Sequence, residues 1–180
     1  MNQNRKAFLD TIAFAEGTDP SPASKNKGYD VIVIGIDGVH EVFTDYSTHP
    51  FANGRPSKVI NSKGLTSNAS GRYQFMLRDW KHYRETLGLA NPTDYPDGAF
   101  GPAAQDAWAI QLIRERGALP LIDLGQIELA IQRVSNLWAS LPGANYADQP
   151  MRPMGRLIAQ FKASGGVVEV LPSWKNQRSG

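Results

Sequence analysis

The sequence predicts one α+β domain, mostly helical, with a single small β-hairpin lobe in its first third. Three observations lead there. Apolar residues recur at helical spacing over 4–16, two β-branched runs flank an Asp-Gly pair near residue 37, and helical segments punctuated by Gly and Pro follow from Tyr73 onward. A chain of 180 residues, 41% hydrophobic and 20% charged, suits one core that needs no covalent staple. Neither an internal repeat nor a dividing linker is visible, so residues 1–171 are read as one domain. Residues 172–180, which include Trp174, Lys175 and Arg178, are read as a polar, flexible tail.

The first helix is expected over Asn4–Glu16. Phe8, Leu9, Ile12 and Ala13 share one face, while Arg5, Lys6 and Asp10 point elsewhere. Gly17 and then Asp19-Pro20 supply the stop, and Pro20–Gly28 is a polar loop. Tyr29–Ile36 and Val39–Tyr46, joined at Asp37-Gly38, read as a hairpin. Thr48–Ser70, rich in Pro, Gly, Asn and Ser, reads as exposed loop. Further helices are expected at Gln74–Leu87, Pro102–Arg116, Gln126–Leu137 and Pro153–Ala163. Gly88, Gly117 and Gly165 stand where C-terminal caps belong, and Pro102 and Pro153 where a first turn tolerates proline.

Composition narrows the function classes. There is no cysteine, hence no disulfide and no thiolate metal site. A formal charge of +2 is too weak to argue for nucleic acid, though its sign agrees with an anionic bacterial envelope. The apolar stretch after Lys6 is broken by Asp10 and ends at Glu16, too short and polar for an export signal or a membrane span. No phosphate-binding glycine loop or dinucleotide fingerprint occurs.

Glu16 departs from this ordinary pattern. Leu9 and Glu16 lie roughly 20° apart around the helix axis, with Ile12 between them, so a carboxylate extends a buried face. It also stands in the last turn, where the helix dipole is negative. Both effects disfavour ionisation and suit a general acid at neutral pH. The alternative is a helix-end glutamate that bends out to water.

Six segments occur in order: Ala15-Glu16-Gly17-Thr18-Asp19, Gly28-Tyr-Asp-Val-Ile-Val33, Phe43-Thr-Asp-Tyr-Ser47, Gly71-Arg-Tyr-Gln74, Glu115-Arg-Gly-Ala-Leu-Pro120 and Ser135-Asn-Leu-Trp-Ala-Ser-Leu-Pro-Gly143. Over residues 4–166 the series resembles the lambda-type phage endolysins, lytic transglycosylases of the lysozyme-like superfamily. The resemblance implies a lysozyme-like fold with a substrate cleft between helical body and hairpin lobe. It implies cleavage of the β-1,4 bond between N-acetylmuramic acid (MurNAc) and N-acetylglucosamine (GlcNAc) in peptidoglycan without water, leaving 1,6-anhydro ends. Glu16 would act as acid and then as base.

Further site residues follow from the same resemblance. Gln74, with Tyr73 beside it, falls in a motif whose glutamine shapes the cleft, unless Gln74 merely opens the next helix. Tyr46 and Ser47 are either sugar contacts or scaffold, with Thr44 and Asp45 shaping the turn. Asn136 and Tyr146 are candidate contacts on the opposite wall, where Trp138 is read as structural. The chain departs from the family around residues 34–42, 91–101 and 145–154, which bears on the number of sugars bound.

No cofactor and no metal are expected, nor any nucleic-acid partner or stable membrane insertion. A monomer is expected, held in the host cytoplasm until a holin lets it reach the periplasm and wall. Three rival readings are distinct. A hydrolytic muramidase would recruit a second carboxylate from Asp30, Asp37, Glu41 or Asp45. A zinc amidase would need ligands from His40, His49 and His82, which lack the spacing of a zincin helix. A wall-binding module would have lost catalysis.

Overall fold

The computed structural model describes residues 1–144 and 151–169. Tyr146 and the tail from Pro172 lie outside them. The helices are α1 (Gln3–Glu16), α2 (Leu77–Thr86), α3 (Pro102–Glu115), α4 (Leu119–Asp123), α5 (Ile127–Val134) and α6 (Met154–Ala163). Between α1 and α2 come β1 (Val31–Ile32), β2 (Glu41–Val42), β3 (Lys58–Val59) and β4 (Thr66–Ser67). A mostly helical body with a small hairpin lobe is therefore the observed architecture. Among the described residues no helix is long and apolar enough to cross a membrane.

The ends of α1 explain its length. The Asn2 side chain accepts the Arg5 N–H at 2.8 Å, a cap worth about 1 kcal/mol. At the other end Gly17 turns left-handed at φ 73°, and the Thr18 N–H closes on the Ala13 carbonyl at 3.1 Å. Phe8, Ile12 and Ala13 have no exposed surface, and α1 packs against α4 and α6. A second part of the core is aromatic. Phe75 stacks on Trp108 at 4.0 Å, and Trp80 meets Phe100 edge-on at 5.2 Å. Burial of each such ring contributes about 1.5–3 kcal/mol, with up to about 1.5 more per well-placed pair.

The lobe departs from the expected single hairpin. Only Val31↔Val42 and Ile32↔Glu41 pair across β1 and β2. The Asp37-Gly38 turn forms, with the Gly38 N–H on the Gly35 carbonyl at 2.9 Å. The Ile36 N–H, however, bonds to the Val59 carbonyl at 2.7 Å, drawing the chain away from β2. Its partner is a second hairpin, β3–β4, paired Lys58↔Ser67 and Val59↔Thr66, inside the segment expected to be loop. Glu41 joins the two hairpins through Arg55 at 2.8 Å and Lys58 at 2.7 Å.

Two helix boundaries also shift by three residues. Gln74 adopts φ 51° in a tight turn, where the Phe75 N–H returns to the Ser70 carbonyl, so α2 starts at Leu77. The helix expected to run to Leu137 stops at Val134. The short α4 was not anticipated, since five residues carry too little periodicity to read.

Candidate active site

Three distant segments close a ring at the end of α1. The Thr18 hydroxyl, buried just past Glu16, lies 2.6 Å from the Arg72 carbonyl. The next carbonyl along, Tyr73's, accepts the Trp138 indole N–H at 3.0 Å. Two residues beyond Trp138, the Ser140 hydroxyl donates to Glu16 Oε1 at 2.5 Å, returning to the start. Gly28 passes close by: a Cβ there would stand 2.8 Å from the Thr18 carbonyl carbon, and its φ of 85° suits glycine alone.

Arg72 braces this ring from inside. Its guanidinium, only 4% exposed, reaches Asp10 at 2.9 Å and Asp19 at 2.7 Å, and also donates to the Lys27 carbonyl. Its backbone N–H bonds to Gln105 Oε1 at 2.8 Å, and Gln105 donates onward to the Tyr29 and Phe100 carbonyls. Helix α3 thereby supports the turn at residues 71–74.

Glu16 is half-buried, and burial pushes its carboxyl up from the usual 4.5 to about 7, against the opposing pull of hydrogen bonds from Ser140. A carboxylic acid at the mouth of a helix end, protonated near neutral pH, can donate a proton and take one back. Ser140 was not singled out from the sequence. It lies 124 residues from its partner, and only its place in the Ser135–Gly143 segment hinted at a role.

The other expected site residues divide. Gln74 is half-buried in the 71–74 turn, its side-chain amide donating to the Gly71 carbonyl at 3.1 Å. Tyr46 is half-buried, packed edge-on to Phe43, and its hydroxyl accepts from Asn26 at 2.9 Å. Ser47 is exposed, its N–H on the Asp45 carboxylate at 2.8 Å, so Asp45 does shape the turn. Asn136 is exposed and accepts from Arg116 at 3.3 Å, beyond the end of α3.

Tyr73 is a correction. It is 1% exposed, with its hydroxyl on Asp106 at 2.6 Å, so its ring belongs to the core and only its backbone serves the ring around Glu16. Trp138, 4% exposed, is structural as read from the sequence.

The lobe carboxylates are all engaged. Asp30 accepts from Ser24 at 2.5 Å, Asp37 from the Val39 N–H at 3.1 Å and Glu41 from Arg55 and Lys58. Of the histidines, His40 and His82 are exposed and apart from the core, while His49 is buried between the Phe75 carbonyl and the Phe51 N–H. Burial lowers His49 to about 4, so it stays neutral. Among the described residues no group of three metal-ligating side chains is present.

The fold and this site define a lysozyme-like protein. A solved structure of bacteriophage lambda lysozyme complexed with a chitohexasaccharide superposes with a TM-score of 0.80 at 49% identity, covering 94% of this chain and 98% of that one. A second lambda lysozyme structure gives 0.74 at 46% identity over the same shares. The family model for endolysins matches residues 6–168. The endolysin of Escherichia phage P2 is 54% identical over 166 residues, 92% of this chain and 95% of that protein. The endolysin of Escherichia phage lambda is 50% identical over 169 residues, 93% and 95% respectively. The chain belongs to the endolysin family, the enzymes with which phages cleave peptidoglycan.

Proposed function

We propose that this endolysin cuts the β-1,4 bond between MurNAc and GlcNAc by lytic transglycosylation, with Glu16 as the sole proton-transfer group. The Glu16 carboxyl gives its proton to the glycosidic oxygen, the bond from that oxygen to muramic C1 breaks, and the GlcNAc end leaves with a free 4-hydroxyl. The resulting carboxylate removes the proton of the muramic C6 hydroxyl, and O6 bonds to C1. Atoms balance without water, and Glu16 ends protonated as it began.

The observation that carries this reading is the buried carboxyl beside Ser140, raised to about 7. The engagement of Asp30, Asp37, Glu41 and Asp45 by their own neighbours supports it against a hydrolytic muramidase. Tyr46, Ser47 and Gln74 are proposed to border the sugars on the lobe side, with Asn136 further along the opposite wall. We take the glycan strand as the ligand on the model of the lambda enzyme's hexasaccharide complex. Release from the host cytoplasm is assigned to a holin; lysis on expression without one contradicts that part.

The test is digestion of purified peptidoglycan by wild type and Glu16→Gln, read by mass spectrometry. Wild type is expected to give fragments one water lighter than hydrolytic products, and the variant to lose activity by about 10²-fold or more. Hydrated wild-type products point instead to hydrolysis and to a lobe aspartate. An active variant removes Glu16 from the chemistry.

A further inference from the structure

From the placement of Arg152 we infer a specificity determinant for acidic substrate: its guanidinium binds a carboxylate of the peptide stem carried by the muramic sugar at the cleavage site. The inference rests on the glycan-strand reading above and adds the part of the substrate that a bare sugar chain lacks.

Arg152 lies just before α6, far in sequence from α1, yet it stands at the α1 terminus. Its backbone N–H bonds to the Ser140 carbonyl at 2.8 Å, so the residue whose hydroxyl holds Glu16 also holds Arg152. The side chain then returns along the end of α1. Its guanidinium carbon lies 5.6 Å from the centre of the Phe14 ring, and Nε reaches the Ala15 carbonyl at 3.5 Å. Nη2 comes within 4.0 Å of where a Gly17 side chain would begin. The cation therefore lies beside Glu16, bonded to the Ala15 carbonyl before it and facing the open space over Gly17 after it.

These contacts leave the charge unmatched. Arg152 is exposed, and among the described residues it has no ion pair with any carboxylate, Glu16 included. The aromatic contact and the long Nε bond hold the stem of the side chain, while the two Nη groups have no hydrogen bond to a described residue. A guanidinium so fixed offers a planar fork suited to a carboxylate. Pre-setting it also reduces the ordering cost of binding.

The substrate supplies the complementary group on one side only. For Glu16 to protonate the glycosidic oxygen, that oxygen must come within about 3 Å of the carboxyl. The muramic ring then lies against the α1 terminus. Its C3 lactyl ether carries the peptide stem, whose free carboxylates are the only anions near the cut bond. GlcNAc carries none, so a chitin oligomer presents the same backbone without the acid.

Calorimetric titration in the Glu16→Gln background separates the possibilities. The ligands are chitohexaose and a muropeptide tetrasaccharide with free stem carboxylates, each titrated into the parent, Arg152→Gln and Arg152→Lys. We expect Arg152→Gln to weaken the tetrasaccharide about tenfold and chitohexaose by less than twofold, with Arg152→Lys intermediate on the acidic ligand. Amidating the stem carboxylates should weaken parent binding and erase its difference from Arg152→Gln.

Equal weakening of both ligands overturns the proposal and makes Arg152 a strap on the helix end. No change with either ligand overturns it as well. A parent that binds chitohexaose but not the tetrasaccharide also overturns it. A parent that binds neither overturns the glycan-strand reading beneath it, and the proposal with it.

Discussion

The end of α1 and the hairpin lobe treat their carboxylates in opposite ways. At α1, Glu16 continues a buried face, and among the described residues only Ser140 hydrogen-bonds its carboxyl, so burial prevails and holds it up at about 7. In the lobe, Lys58 and Arg55 hold Glu41 below the ordinary carboxylate range, and hydrogen bonding from Ser47 does the same for Asp45. One region retains a proton at neutral pH while the other retains charge. The difference comes from desolvation against pairing, not from residue type. The same contrast runs through the apolar residues. Phe8, Ile12 and Ala13 of α1 are wholly buried, whereas Ile36, Val39 and Leu65 in the lobe are at least half exposed. A region with a deep core can impose burial on a carboxylate, and a thin lobe cannot.

The largest expected effect breaks the enclosed side. Arg72→Met removes a buried cation from Asp10 and Asp19 and loosens the ring around Glu16. It should cost about 3 kcal/mol of stability in chemical denaturation, and a loss under about 1 kcal/mol would mean the brace is dispensable. Next comes the pH dependence of stability. Glu16 binds its proton more tightly in the folded state than unfolded, so folding stability falls as pH rises from about 4.5 to about 7. Glu16→Gln, which cannot ionise, should gain on wild type by on the order of 3 kcal/mol between pH 4 and pH 8. Equal pH profiles for the two proteins would contradict a buried carboxyl.

Smaller changes sharpen the contrast. Ser140→Ala removes the hydroxyl hydrogen bond that favours the charged form and keeps the backbone one, so the alkaline limb of the activity profile should move up by about half to one pH unit. A downward shift would assign Ser140 the opposite role. In the lobe, Glu41→Gln should cost less than about 1 kcal/mol, because its ion pairs face solvent. That loss should be present at neutral pH and vanish as pH falls through the depressed Glu41 pKa. It should leave the activity profile near pH 7 where it was.

Legibility in the sequence followed the range of the interactions. Helix α1 and the position of Glu16 on its apolar face were readable because both depend on residues within two turns. The Asp37-Gly38 turn was readable too, but not that Ile36 would bond to Val59, which shortened the ladder to two pairs. The hairpin at β3–β4 was hidden by its own composition, since Pro, Gly, Asn and Ser mark an exposed lobe as readily as a loop. Gln74 read as a helix start because its left-handed turn is fixed by Ser70 and Phe75 pairing around it. Tyr73 read as a site residue because its motif borders the site through the backbone, and no local pattern shows that its hydroxyl ends on Asp106. Ser140 and Arg152 reach α1 across more than 120 residues, and such contacts leave no periodic trace.

The central claim is that Glu16 keeps its proton near neutral pH. Titration of the Glu16 side-chain carboxyl by carbon-detected nuclear magnetic resonance, assigned by its loss in Glu16→Gln, measures this directly. A midpoint near 7 is the predicted result. A midpoint at or below about 4.5 would show an ordinary, charged carboxylate and contradict its role as the proton donor.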